Sequence, residues 1–146
     1  MAATGLTQIS VTSSTFTLTK DHAGTLIILD RASGVGITLP ASTGSGLTYS
    51  FLVGTAITSL TSFIKVANST DVFIGNLATH NATGAVGASF GEAATGADDT
   101  LTMNGGTTGG LKGSYIELTD ISPGFWLLDG NLIGSGAFAS CLSSTV

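Results

Sequence analysis

Three runs in this 146-residue chain have residue types and spacing that could do chemistry. Gly87-Ala88-Ser89-Phe90-Gly91 fits the G-x-S-x-G pattern, in which a sharp strand-to-helix turn exposes a nucleophilic Ser hydroxyl. Such a Ser needs a base, and only His22 and His80 are available, one in an expected turn and the other in a weakly patterned stretch. It also needs an α/β sheet, and in a chain this rich in Gly and Ser the pattern arises readily by chance. Gly105-Gly106-Thr107-Thr108-Gly109-Gly110-Leu111-Lys112-Gly113 has the glycine density of a phosphate loop. It lacks the adjacent Gly-Lys-Ser/Thr, and a strand rather than a helix N-terminus is expected after it, so it reads as a tight hairpin connection. Asp71, Asp98 and Asp99 fall in loops, and Asp98-Asp99 could join backbone carbonyls around a calcium ion. Their spacing fits no calcium loop, which leaves them as solvated turn acids.

No catalytic, cofactor-binding or metal-binding residue is therefore nominated, and the chain is not expected to be an enzyme. Trp126 sits between Phe125 and Leu127 in the densest apolar run and reads as core or interface rather than as a sugar platform. Tyr49 and Tyr115, each preceded or followed by Ser, leave a sugar site open. Cys141, the single cysteine, cannot form an internal disulfide and reads as a small buried hydrophobe. Asn68-Ser69-Thr70 and Asn81-Ala82-Thr83 match the glycosylation sequon, which matters only in a secreted protein. The start, Met1-Ala2-Ala3-Thr4-Gly5-Leu6, has neither a basic segment nor an apolar run of the secretory kind, so synthesis in the cytoplasm is expected.

The elements that must position these residues are strands. Thr, Ser and Gly make up 61 of the 146 residues, and the β-branch of Thr suits pleated strands while Gly and Ser suit turns. Ten short strands are predicted: 15–19, 25–29, 36–39, 48–53, 63–66, 72–74, 100–103, 114–118, 125–128 and 132–133. No stretch carries a sustained 3.6-residue stripe with caps, so almost no helix is expected. The fold class is all-β: one antiparallel sandwich or barrel, jelly-roll-like, with residues 1–14 as an N-terminal arm and residues 15–146 as the β domain. Leu77 to Asp99, rich in Gly and Ala with Val86 and Phe90 its large apolar members beyond Leu77, reads as one long loop excursion. Phe51, Phe63, Trp126 and Leu128 are the expected core. A faint echo between Thr43-Gly44-Ser45-Gly46-Leu47 before Tyr49 and Thr108-Gly109-Gly110-Leu111 before Tyr115 suggests two similar hairpins face to face, but no solenoid period is visible.

Composition narrows function further. Only 9% of residues are charged while 42% are hydrophobic, and the formal net charge is −5. The longest runs of large apolar residues, Leu26 to Leu29 and Phe125 to Leu128, are far short of the ~20 that span a bilayer, so no membrane partner is expected. Lys20, Arg31, Lys65 and Lys112 are scattered and form no basic stripe, which disfavours nucleic acid. A surface of Thr, Ser, Gly and Ala suits close packing against other subunits, where burying Lys or Glu would carry a desolvation penalty. An oligomer or lattice component is the expectation.

Several runs carry a resemblance. Lys20-Asp21-His22-Ala23-Gly24, Leu29-Asp30-Arg31-Ala32 and Ile37-Thr38-Leu39-Pro40-Ala41 leading to Gly44-Ser45-Gly46 resemble small structural proteins of tailed bacteriophages, particularly aquatic ones. Lys65-Val66-Ala67-Asn68, Asp71-Val72, Gly109-Gly110-Leu111-Lys112-Gly113 and Ile116-Glu117-Leu118 are similar in the same way. The resemblance covers roughly residues 15–135, with Leu77 to Asp99 the poorest match. It implies a head decoration, or cement, protein on the capsid exterior of the virion, partnered by the major capsid protein and by itself as a homotrimer. It implies no catalytic residue and no cofactor. Under it, the Ala2 to Thr12 arm and the Leu77 to Asp99 excursion would make lattice and trimer contacts. A tail or head-fibre subunit that meets a host glycan, and a carbohydrate-binding β-sandwich module, remain the alternatives.

Overall fold

The structure, a computed structural model, describes residues 7–83 and 89–146. Its strands are β1 (Gln8–Val11), β2 (Thr15–Thr17), β3 (Leu26–Leu29), β4 (Gly36–Thr38), β5 (Thr48–Val53), β6 (Ser62–Lys65), β7 (Val72–Asn81), β8 (Ser89–Asp98), β9 (Thr100–Met103), β10 (Tyr115–Ser122), β11 (Phe125–Gly134) and β12 (Leu142–Ser143). A 3-10 turn at Lys20–His22 is the one helical element among the described residues. The fold is all-β and sandwich-like. A seven-stranded sheet, ordered β1-β3-β5-β10-β11-β7-β8, packs on a five-stranded sheet, ordered β12-β9-β6-β4-β2.

Both sheets are mixed, a departure from the antiparallel sandwich expected from sequence. The first six strands alternate between the sheets, so that β1, β3 and β5 lie parallel in one and β2, β4 and β6 parallel in the other. This is three turns of a flattened coil. Gln8, Leu26 and Ser50 stand side by side in register, as do Thr15, Gly36 and Phe63, at unequal sequence intervals that hide the period. β9 and β12 then extend the small sheet with antiparallel pairs, and β10 pairs antiparallel with both β5 and β11.

Among its described residues Leu77 to Asp99 is strand rather than a loop excursion; residues 84–88 lie outside the described residues. β7 and β8 form a long antiparallel hairpin at the edge of the large sheet, with β7 parallel to β11 over its whole length. β7 buries Phe73, Leu77 and Thr79, whereas Ala94 is the one buried position on β8, so the outer strand of the hairpin needs few large apolar side chains. Gly75 marks the closest approach: its φ is +131°, and a Cβ there would run into the Leu128 carbonyl of β11. The expected arm at residues 1–14 is also partly structured, since Gln8–Val11 is the edge strand β1; residues 1–6 lie outside the described residues.

The core lies between the sheets. Period-2 alternation puts Tyr49, Phe51 and Val53 of β5 and Trp126, Leu128 and Leu132 of β11 inward, opposite Ile37, Ile64, Leu101 and Met103 of the small sheet. Phe51, Trp126 and Leu128 are thus in the core as expected, but Phe63 is not. On β6 the inward places go to Ser62 and Ile64, because the Ser62 hydroxyl accepts the buried Val35 N–H at 2.9 Å. Phe63 is left half-buried on the outside of the small sheet. Nor are the Tyr49 and Tyr115 strands face to face: they are neighbours in one sheet, with Tyr49 buried inward and Tyr115 exposed outward.

Candidate functional site

The residues weighed for chemistry, none of them nominated as a site, fall into three groups. Ser89 and His80 are direct cross-strand partners at the end of the β7–β8 hairpin, and both are exposed; Gly87 and Ala88 lie outside the described residues. The His80 ring nitrogen Nε2 lies 3.1 Å from Asn131 Oδ1. No hydrogen bond joins His80 to Ser89 among the described residues, and the Ser stands on a flat strand rather than on a sharp turn before a helix. His22 instead caps its own 3-10 turn, its Nδ1 accepting the Thr19 N–H at 2.9 Å.

The glycine-rich run 105–113 links β9 in one sheet to β10 in the other, so it is a crossover and not the expected hairpin connection. Most of its N–H groups are paired within the protein: Gly106 and Thr108 donate to Asn104 Oδ1, Gly105 to the Gly109 carbonyl, Leu111 to Ile133 and Gly113 to Val53. The run of consecutive free donors that would cradle a phosphate is thus lacking. Asn68 and Asn81 likewise serve local turns, accepting from Thr70 and Thr83.

The aspartates are the larger surprise. Asp71, Asp99 and Asp120 are buried, not solvated. Asp99 accepts hydrogen bonds from Thr100, Ser144, Thr145 and Val146, which ties down the C-terminal segment; burial pushes its carboxyl up, but these donors together hold it below the usual carboxylate range. Asp98, whose burial and acidic neighbours Glu92 and Asp99 raise its carboxyl, faces no comparable set of donors. No group of three or more His, Cys, Asp or Glu side chains converges among the described residues. Cys141 is buried against Glu92, which accepts from its N–H at 2.9 Å and its thiol at 3.3 Å, and burial with that carboxylate pushes the thiol far up.

Asp120 and Asp71 brace one end of the large sheet. Asp120 accepts the N–H groups of Thr43 (3.0 Å), Gly44 (2.8 Å) and Ser45 (3.0 Å) and the Ser45 hydroxyl (2.7 Å). Burial pushes this carboxyl up, but the Ser45, Thr43 and Gly44 donors outweigh it and hold it at about 2. The Ser42 hydroxyl donates to Asp71 at 2.9 Å and accepts the Gly124 N–H at 2.7 Å. The turn at residues 42–45 is thereby fastened under the β10–β11 turn, and a Cβ on Gly44 would stand 3.2 Å from Ser122 Cα. Sequence reasoning missed this: the partners of Asp120 are 75–77 positions away.

What is braced is an apolar surface. β10 bulges between Asp120 and Ser122, and the bulge residue Ile121 is 42% exposed. Beside it on the outer face of the large sheet stand Phe125 (41%) and Leu127 (43%), with half-buried Val72 and Ile74 of β7 in register with them. Gly96 of β8, whose φ of +88° favours glycine, adjoins Ile74 and Phe125 at this end. Next along the face, Glu117 and Asp129 are directly opposite each other, an arrangement that is unfavourable in isolation. Beyond them the exposed Tyr115 donates to Glu117 at 3.2 Å.

The outer face of the small sheet carries a cavity of about 240 Å³ lined by Phe63, Lys65, Thr100, Thr102 and Thr145. No helix among the described residues is long and apolar enough to cross a membrane. No protein-family model, curated protein or solved structure matches the chain.

Proposed function

We propose that the protein is a virion structural protein that binds the outer surface of a tailed-phage capsid and bridges major-capsid subunits, without catalysis. The observation that carries this reading is the braced apolar end of the large sheet, where Ile121, Phe125 and Leu127 are exposed side by side at the β10–β11 turn. Exposed apolar clusters of this kind mark sites of contact with other proteins. The adjoining Glu117–Asp129 pair gives the partner its chemistry: an apolar surface flanked by Lys or Arg, whose charge would neutralise the two carboxylates. Binding across a junction between capsid subunits would oppose the outward pressure of packaged DNA. The low charge elsewhere favours self-association, and a homotrimer over a local three-fold position is the assembly proposed. Synthesis would be in the host cytoplasm, with the mature location on the virion exterior.

The test is sedimentation with assembled capsid shells built from the major capsid protein of the virus whose genome carries this reading frame. Wild type should pellet with the shells, and Leu127→Lys should remain in the supernatant while keeping its native Trp126 fluorescence. Wild-type protein that stays in the supernatant would sink the proposal, as would undiminished pelleting of Leu127→Lys.

A further inference from the structure

The cavity on the small sheet lies on the opposite side of the sandwich from the apolar end, and its walls are of different chemistry. Two rows cross this face in register. One is Thr15, Gly36, Phe63 and Thr102; the other is Thr17, Thr38, Lys65 and Thr100. Phe63 leans across from β6 so that the end of its ring lies over Gly36, where a Cβ would stand within 3.0 Å of both Cε atoms. Only glycine at that position lets the ring recline along the sheet and turn a face outward.

Lys65 reaches over this ring, with Nζ 5.9 Å from its centroid. That is the outer limit of cation–π attraction, so the ammonium is held weakly. It donates no hydrogen bond to any described residue, and it is half-buried in a chain whose net charge is −5. A cation in that position is suited to an anion from outside. Thr102 also makes no side-chain hydrogen bond among the described residues. The Thr100 hydroxyl, which is close to both Asp99 (2.8 Å) and Thr145 (2.8 Å), spends its proton on Asp99, so Thr145 donates to Thr100 and keeps lone pairs free.

We propose that this cavity binds a single carboxylated pyranose, of the uronic-acid class. The Phe63 face would stack on the C–H side of the sugar ring, Lys65 would pair with the carboxylate, and Thr102 and Thr145 would bond the ring hydroxyls. The volume, about 240 Å³, is below the ~300–1,000 Å³ of sites for drug-sized ligands and suits one ring rather than a chain buried along its length. One ammonium with no converging N–H donors matches a carboxylate better than a phosphate, which favours several donors or Arg. The proposal is independent of the capsid reading, because the two surfaces are on opposite faces and each can fail alone.

The experiment is an amide chemical-shift titration of the isotope-labelled protein with glucuronate, glucose and acetate. Glucuronate should give saturable shifts confined to residues around 63–65, 100–102 and 145. Glucose and acetate should each bind at least about tenfold more weakly, and Lys65→Met should reduce glucuronate affinity about tenfold while leaving the remaining spectrum unchanged. Phe63→Ala should abolish saturation. Absence of saturable shifts with glucuronate would overturn the proposal. Equal binding of acetate would reduce the site to a simple carboxylate contact and also overturn it, as would full affinity in Lys65→Met.

Discussion

Replacing Asp120 by Asn tests whether a buried carboxylate, rather than apolar packing alone, fixes the end of the large sheet. In the native protein its two oxygens accept three main-chain N–H groups, from Thr43, Gly44 and Ser45, and the Ser45 hydroxyl. The amide of Asn has one acceptor oxygen, and its NH2 would confront donors. The carboxyl is held at about 2 against an ordinary 3.8. That depression is equivalent to at most about 2.5 kcal/mol, or about 1–2 kcal/mol after screening at the rim of a surface loop. Leaving one or two N–H groups poorly paired adds about 1–2 kcal/mol, since water reaches part of the turn. Asp120→Asn should therefore lose about 2–4 kcal/mol at pH 7, measured by urea unfolding followed by Trp126 fluorescence. Because the folded value is depressed, the charge contribution is complete above about pH 5 and disappears as pH falls towards 2. The gap between wild type and variant should narrow by about 1–2 kcal/mol between pH 7 and pH 2. A difference below about 0.5 kcal/mol at pH 7, or a large one that does not change with pH, would mean that the Asp120 carboxylate does not hold this end of the sheet.

Three other outcomes are expected. Trp126 is fully buried with its indole N–H unpaired, so Trp126→Phe removes an unsatisfied donor as well as volume and should cost under about 1.5 kcal/mol in urea unfolding, against about 3–5 kcal/mol for Trp126→Ala. Gly36→Ala should push the Phe63 ring off the small sheet, leaving the fold intact by circular dichroism but removing the glucuronate-induced shifts. Burial and the Glu92 carboxylate suppress the Cys141 thiolate, so the thiol should react with a disulfide reagent at pH 8 far more slowly in the native protein than in urea.

The all-β class and the inward face of β5 are legible in the sequence because Tyr49, Phe51 and Val53 alternate with half-exposed residues in a fully covered part of the sandwich. The β7–β8 hairpin is not, since β8 buries only Ala94 and carries small residues at most other places, which leaves no apolar alternation to read. Parallel pairing leaves no local signature, and uneven connections blur the three-turn coil. Phe63 misleads because size alone suggests core, whereas the Ser62 hydroxyl is needed inside for Val35 N–H. Phe125 and Leu127 look like core for the same reason: their run, Phe125 to Leu128, is continuous, but a strand can bury only alternate members, here Trp126 and Leu128. Asp71 and Asp99 mislead in the opposite sense, because residues distant in sequence, Ser42 for one and Ser144 to Val146 for the other, supply donors that satisfy them when buried.

In the proposed capsid complex the apolar end of the large sheet faces the shell. Hydroxyl-radical footprinting of the protein, free and bound to assembled capsid shells, distinguishes this face from the others. Phe125 and Leu127 should be oxidised in the free protein and protected on the shell, while Phe63 on the opposite face is oxidised equally in both. Protection of Phe63 with Phe125 and Leu127 still reactive would place the capsid on the small sheet instead and rule out the proposed interface.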